Sequence, residues 1–143
     1  MLDLRTRVMV ITGNDQETAR VVGLFNAIGY LDTEIANSAP VAIRRLHNAD
    51  RFGSCAAGLV YLDWVLQGQR NGQELLSIIR SDYKIKLIAI VMAVSPDSNQ
   101  TAFAREQLRV GLLDGWVLKP PTQETLAAAL APIEARMIPP FNV

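Results

Sequence analysis

The sequence places one carboxylate, that of Asp63, at the end of a predicted buried strand, where it could take part in chemistry. Asp63 closes the apolar segment 58–64, whose length and whose β-branched and aromatic residues are typical of a strand buried on both faces. An unpaired charge inside such a strand would cost several kcal/mol, so the carboxylate is expected where the strand ends and the site opens to water. In an open α/β sheet, this crevice at the carboxyl ends of the strands is where ligands bind.

The chain on either side of Asp63 alternates between strand and helix patterns. Short apolar segments predict strands at 7–11, 31–36, 58–64, 86–94 and 115–118. Apolar residues at helical spacing predict helices at about 14–27, 40–46, 73–80 and 99–109, and a last helix from residue 122 that Pro132 should kink or shorten. Strict alternation without an internal repeat predicts an α/β doubly wound fold, with a five-stranded parallel sheet of the flavodoxin-like type and helices on both faces.

The composition is that of one globular domain. The 143 residues are 50% hydrophobic and 20% charged, and we expect a core over about residues 7–137 followed by a short apolar tail at 138–143. The formal net charge is zero, which argues against nucleic acid as a partner. Cys55 is the single cysteine, which favours a reducing compartment such as the cytoplasm. The sequence shows neither a signal peptide nor an apolar segment long enough to cross a membrane.

Four features of the sequence together resemble one family, the receiver domains of two-component response regulators. The resemblance covers about residues 7–133, and its features occur in the family's order and spacing. They are the strand ending in Leu62 and Asp63, the glycine Gly72 before the helix pattern 73–80, the strand with a lysine–proline ending at 116–120, and the pair Gly29 and Tyr30 after the first helix. The resemblance implies the receiver fold and a role in phosphorelay signalling.

The resemblance also implies roles for side chains at the carboxyl edge of the sheet. Asp63 would accept a phosphoryl group from a histidine kinase or a phosphotransfer protein, and Lys119 would be the fixed cation beside it. Ser95 would be the small hydroxyl that bonds a phosphoryl oxygen, unless the long strand before it puts Ala93 in that place. Trp116 matches the family's aromatic switch position, which packs inward or outward as the hydroxyl moves.

A metal ion belongs to the chemistry that the resemblance implies. Phosphoryl transfer to a carboxylate adds negative charge, which in the family a Mg²⁺ ion and the fixed cation neutralise. The family holds this ion with two adjacent acids after its first strand, with the acceptor aspartate and with a backbone carbonyl. The candidate Mg²⁺ ligands in this chain are therefore Asp63, Asp15 and the backbone carbonyl of Val65.

The acidic pair itself is incomplete, and two alignments remain open. An alignment without gaps preserves the first helix and puts Thr12 and Gly13 at the two positions, where neither can replace a carboxylate. A shifted alignment puts Asn14 and Asp15 there and keeps the second acid, but it shortens the helix. The loop after the acceptor strand also departs from the family, because Gln67 stands where a proline is usual and the loop is one residue longer.

These features predict a stand-alone receiver that acts on another protein, and not an enzyme. The 143 residues leave no room for an output domain, so the phosphorylated protein would signal through a partner-binding face to a downstream target protein. In the family, the last two helices and the last strand usually form this face and the dimer surface. The apolar tail could extend that surface in a homodimer.

Two alternatives use the same fold. Loss of the acidic pair favours a degenerate pseudo-receiver, a protein-interaction module that works without phosphorylation. A flavodoxin-like binder of a flavin or a nucleotide would need a hydroxyl- and glycine-rich phosphate loop after the first strand. Residues 12–15 are a poor version of such a loop.

Overall fold

The computed structural model describes residues 6–48, 57–68, 71–82, 85 and 88–136. In these residues five strands alternate with five helices. The strands are β1 (Val8–Ile11), β2 (Thr33–Ala36), β3 (Leu59–Asp63), β4 (Ala89–Val94) and β5 (Gly115–Leu118). The helices are α1 (Asp15–Ile28), α2 (Ala39–Asn48), α3 (Gly72–Ser81), α4 (Ser98–Arg109) and α5 (Gln123–Arg136). None of these helices has the length and apolar character needed to cross a membrane. Cys55, on which the prediction of a reducing compartment rests, and the tail at 138–143, on which the prediction of a larger homodimer surface rests, lie outside the described residues.

All five strands run parallel in one sheet, in the spatial order β2-β1-β3-β4-β5. Helices α1 and α5 contribute to the core on one face of the sheet, and α2, α3 and α4 contribute to the core on the other. This confirms the predicted α/β doubly wound fold. The strand order reverses between β1 and β3, so the carboxyl ends of these two strands form the crevice in which such folds bind ligands.

The three central strands are buried along their whole length. Every residue of β1, β3 and β4 is buried, which explains why these segments are continuously apolar in the sequence instead of alternating. On the side of α1 and α5, Phe25 packs edge-on against Tyr30 and Tyr61, with ring centroids 6.0 Å apart in each pair. The sheet is therefore a rigid support for the residues that follow its strands.

The helix boundaries fix where those residues stand. The side chain of Asn14 accepts the N–H of Glu17 at 3.0 Å, so α1 begins directly after the turn that leaves β1. Gly29 ends α1 with a φ of 121°, a conformation that favours glycine. Helix α5 continues through Pro132 to Arg136, so the proline does not shorten it.

Candidate functional site

An ion pair occupies the carboxyl edge of the sheet. The ammonium of Lys119 donates to Oδ1 of Asp63 at 2.8 Å, and the backbone N–H of Val65 donates to the same oxygen at 3.0 Å. The Asp63 side chain is 4% exposed and that of Lys119 is 19% exposed. Lys119 follows β5 and reaches across β4, because β3 and β5 are not neighbours in the sheet. The structure thus brings together two residues that the sequence proposed as partners.

The register of β1 shows which residues stand beside Asp63. Ile11 pairs with Leu62, so the next residue, Thr12, lies level with Asp63. Thr12 is fully buried. Its Oγ1 lies 2.9 Å from the carbonyl oxygen of Asn14 and 2.5 Å from Oγ1 of Thr18. The Thr12 hydroxyl is therefore engaged with the first turn of α1.

Asp15 does not lie in the turn directly after β1, where a metal ligand beside Asp63 is expected. It is an exposed residue and the first of α1, directly after the capping residue Asn14. The structure therefore follows the alignment without gaps, with Thr12 and Gly13 directly after β1. The shifted alignment, which puts Asn14 and Asp15 at the acidic-pair positions, does not agree with this register. Asn14 caps α1, and Asp15 is already the first residue of the helix.

Gly13 lies in close contact with the loop that follows Asp63. Its N–H donates to the carbonyl oxygen of Val65 at 3.0 Å. A Cβ atom on residue 13 would lie 2.9 Å from that oxygen and 3.0 Å from Cα of Leu66. No larger residue, acidic or otherwise, fits here unless the backbone of the loop moves.

These residues do not fit a Mg²⁺ site. Mg²⁺ takes an octahedral set of oxygen ligands that usually includes one or two carboxylates. Within the described ranges, no three side chains of His, Cys, Asp or Glu cluster so that they could hold a metal. The turn after β1 offers a threonine and a glycine, and the carbonyl of Val65, predicted as a ligand, already accepts the N–H of Gly13.

The hydroxyl expected from Ser95 is not level with Asp63 either. Asp63 pairs with Ala93 in the ladder of β3 and β4, and the N–H of Trp64 donates to the carbonyl of Ala93 at 3.1 Å. Ser95 lies two residues farther along, about 7 Å at the usual rise of a strand. Its own N–H donates to Oε1 of Gln100. The structure therefore agrees with the second possibility, in which Ala93 takes this position and offers a methyl group instead of a hydroxyl.

Two tryptophans connect the site to α4. Trp64 packs edge-on against Phe103, with ring centroids 5.1 Å apart. Trp116, the predicted switch residue, is partly buried on β5, and the guanidinium of Arg105 lies 5.8 Å from its ring centroid. In α4, which is described throughout, Ala104 is the only buried residue. Sequence reasoning missed Phe103 and Arg105, since nothing in the local pattern marks them as partners of residues in β3 and β5.

Below the site, a polar cluster faces the side of α1. Within the described part of the chain, the hydroxyl of Tyr61 and Oε1 of Glu17 are buried without a hydrogen-bond partner. Burial, together with the negative charges of Asp63 and Glu17, raises the pKa of the Tyr61 phenol well above its usual range. Tyr61 therefore stays protonated in the folded protein at pH values where a free phenol ionises.

This shift predicts a loss of stability at alkaline pH. Above about pH 10 the unfolded chain releases the phenol proton that the folded chain keeps, so the free energy of unfolding should fall by about 1.4 kcal/mol per pH unit. Urea unfolding at several pH values should show Tyr61→Phe losing less than the parent protein. At pH 7 the same variant should be neutral or stabilised, because it removes an unsatisfied buried hydroxyl.

Tyr30→Phe is the matched control for this prediction. The Tyr30 hydroxyl donates to Oε2 of Glu134 at 2.9 Å, so its removal should cost about 1 kcal/mol at pH 7, where removal of the unsatisfied Tyr61 hydroxyl should not. A Tyr61→Phe variant with the same alkaline slope as the parent would contradict the assignment.

Comparison with known proteins supports the fold. No family model and no curated protein sequence matches the chain. Among solved structures, it is similar to a two-component response regulator from Clostridium difficile, with 22% identity and a TM-score of 0.70 over 94% of this chain and 100% of that one. It is also similar to the chemotaxis protein CheY4 from Vibrio cholerae, with 22% identity and a TM-score of 0.68 over 88% and 96% of the two chains.

A third similar structure is the signal receiver domain of a signal transduction histidine kinase from Syntrophus aciditrophicus. It shares 12% identity and a TM-score of 0.70 over 93% of this chain and 92% of that one. The chain therefore has the fold of these receiver domains, which confirms the predicted fold.

Proposed function

We propose that this chain is a signalling receiver module that acts by binding a partner protein and does not depend on Mg²⁺-assisted phosphorylation of Asp63. One observation carries the proposal. The register of β1 and β3 puts Thr12 level with Asp63 and Gly13 directly after it, at the positions where a receiver needs its acidic pair. The fold supports the signalling role, and the site supports its independence from metal.

The charges at the site favour this reading. Asp63 and Lys119 form an ion pair without net charge, in which Nζ of Lys119 lies 2.8 Å from Oδ1 of Asp63. A phosphoryl group on Asp63 would replace the single carboxylate charge by about two negative charges at pH 7, and catalysis of such a transfer rests on positioned cations. Lys119 supplies one positive charge, and the turn after β1 supplies no carboxylate with which to recruit a second cation.

A phosphorylated receiver is the second candidate, and one observation favours it. The Asp63–Lys119 pair has the geometry expected of an acceptor and its fixed cation at the carboxyl edge of the sheet. In that case the phosphoryl donor would be a histidine kinase or a phosphotransfer protein. No such observation favours the flavin or nucleotide binder. The backbone N–H of Gly13, which could donate a hydrogen bond to a phosphate, donates instead to the carbonyl oxygen of Val65.

We expect a protein partner for either candidate. By analogy with the receiver fold, we expect a binding module of the cytoplasm and not an enzyme. A kinase or an effector of two-component signalling is the class of partner that we expect, and a second copy of this chain is a further proposed partner. The formal net charge of zero gives no support to nucleic acid as a partner.

Tryptophan fluorescence separates the two candidates. Trp64 directly follows Asp63, so a metal or a phosphoryl mimic in the pocket should change its emission. We would titrate Mg²⁺ into the millimolar range and then add beryllium fluoride, using the parent protein and Asp63→Asn. The proposed function predicts a flat response in both proteins.

The chain contains two tryptophans, so Trp116→Phe is needed to assign the signal to Trp64. A saturable response in Trp116→Phe that disappears in the double variant with Asp63→Asn would overturn the proposal. Asp63 would then be established as a working phosphoacceptor, and the second candidate would replace the first.

A further inference from the structure

The segment after β3 crosses the carboxyl ends of its neighbours. We call residues 64–68 the strap. The side chain of Gln67 donates from Nε2 to the carbonyl oxygen of Gly13 at 3.1 Å, and its backbone N–H donates to the carbonyl of Asn37 at 3.1 Å. Gln67 also forms an isolated parallel bridge with Ser38. With the bond from Gly13 to Val65, these contacts join the strap to the turns that leave β1 and β2.

The strap is packed as well as hydrogen-bonded. Leu66 is 8% exposed and belongs to the core on the side of α2 and α3, whereas Val65 beside it is 56% exposed. Gly68 adopts a φ of 94°, which lets the chain turn away after Gln67. The segment is therefore held from below by an apolar side chain and from the side by backbone groups of two other turns.

Residue 13 is the point where the strap and the acidic-pair position meet. The absence of a side chain at Gly13 lets the Val65 carbonyl approach, since a Cβ would lie 2.9 Å from that oxygen. The obstacle is backbone, which cannot rotate away as a side chain can. An acid at position 13 therefore requires the backbone of the strap to shift from the position that it has here.

We propose that the strap holds the carboxyl ends of β1, β2 and β3 together across the place where a receiver would keep its metal-binding acids. This inference rests on the proposed function for its meaning, since a strap closed over this place is compatible with a receiver that works without metal. The long loop with Gln67 and the glycine at position 13 are then two halves of one adaptation. Restoring acids alone would not rebuild a metal site, because the strap would first have to lift.

Native-state hydrogen exchange, followed by NMR on the full chain, tests the strap. The amides of Gly13 and Gln67 both donate across it, so each should exchange at least about a hundredfold more slowly than an unprotected amide. Gly13→Ala should lift the strap and reduce the protection of the Gln67 amide by about tenfold or more, relative to the central sheet amide of Val91. The Val91 reference separates local opening from a loss of global stability.

Two further variants keep the test decisive. Gly23→Ala is the matched control, because a Cβ at that position in α1 meets nothing within 4 Å, and it should leave both strap amides as they are. Gln67→Ala removes the side-chain bond to Gly13 without adding bulk, so it replaces Gly13→Ala if that variant does not fold. It should speed the exchange of the Gly13 amide by about fivefold.

The outcomes separate the strap from the proposed function. Unprotected Gly13 and Gln67 amides, or protection unchanged in both strap variants, would overturn the strap even if Mg²⁺ has no effect on Trp64. A saturable Mg²⁺ response in a protein whose two amides are protected before metal is added and lose that protection when it binds would overturn the proposed function and support the strap. Protected amides that are released by either variant, with a flat Mg²⁺ titration, support both.

Discussion

Replacement of Lys119 by methionine is expected to lower the free energy of unfolding by about 3 kcal/mol, because it leaves a buried carboxylate without its counter-ion. The Asp63 side chain is 4% exposed, and among the described groups the N–H of Val65 would then be its one remaining hydrogen-bond donor. Lys119 itself is 19% exposed, which places the effect at the lower end of the range for broken buried pairs. Urea unfolding at pH 7, followed by circular dichroism, measures it.

A double-mutant cycle is the control for this effect. Asp63→Asn with Lys119→Met removes both charges, so it should recover about 1–2 kcal/mol of the loss seen in Lys119→Met alone. Asp63→Asn alone should be milder than Lys119→Met, since the ammonium is the more exposed partner and the asparagine amide oxygen can still accept the N–H of Val65. A Lys119→Met variant within about 0.5 kcal/mol of the parent would mean that water solvates Asp63 and that the pair adds little.

The parts of the fold that could be predicted are those where one strong local pattern in the sequence determines the type of secondary structure. Strands buried on both faces read as continuous apolar segments, and alternation with helix patterns leaves a parallel sheet as the simple solution. Asp63 is marked by its place at the end of a buried apolar segment, and the resemblance to receiver domains, through the lysine–proline ending at 116–120, implies Lys119 as the cation beside it. Their contact at 2.8 Å agrees with that reasoning.

The rest of the site depends on register, which the sequence does not encode locally. The pairing of Ile11 with Leu62 decides that Thr12, and not Asp15, is level with Asp63. The pairing of Asp63 with Ala93 decides in the same way against Ser95. A shift of one or two residues along a strand changes which side chain faces a site, while the apolar pattern of the segment stays almost the same.

The strap could not be predicted for a different reason. Its bonds join positions far apart in the chain, as Gln67 and Gly13 are separated by 54 residues. Two departures from the family were visible in the sequence, the glycine in the turn after β1 and the longer loop with Gln67. Their physical connection, a backbone carbonyl placed where a Cβ would stand, follows only from the packed structure.

Gly72→Ala should be among the most destabilising single substitutions in the chain, at about 3 kcal/mol or more. A Cβ at this position would lie 2.2 Å from the carbonyl oxygen of Asp63 and 3.0 Å from Cα of Trp64. Overpacking usually costs about 1–3 kcal/mol when side chains can yield, and here the obstacle is the backbone of the strand that carries the site. The N–H of Gly72 also donates to the carbonyl of Trp64 at 2.8 Å, so a shift of the helix start would break that bond too.

Gly23→Ala isolates the steric part of this prediction. It makes the same chemical change in a helix with open space around the new methyl group, and should stabilise the protein by about 0.5–1 kcal/mol. Urea unfolding of the two variants against the parent gives both values. Equal effects at positions 72 and 23 would show that β3 tolerates a displaced carbonyl at Asp63. The close return of α3 onto the strand would then not be what fixes the carboxylate beside Lys119.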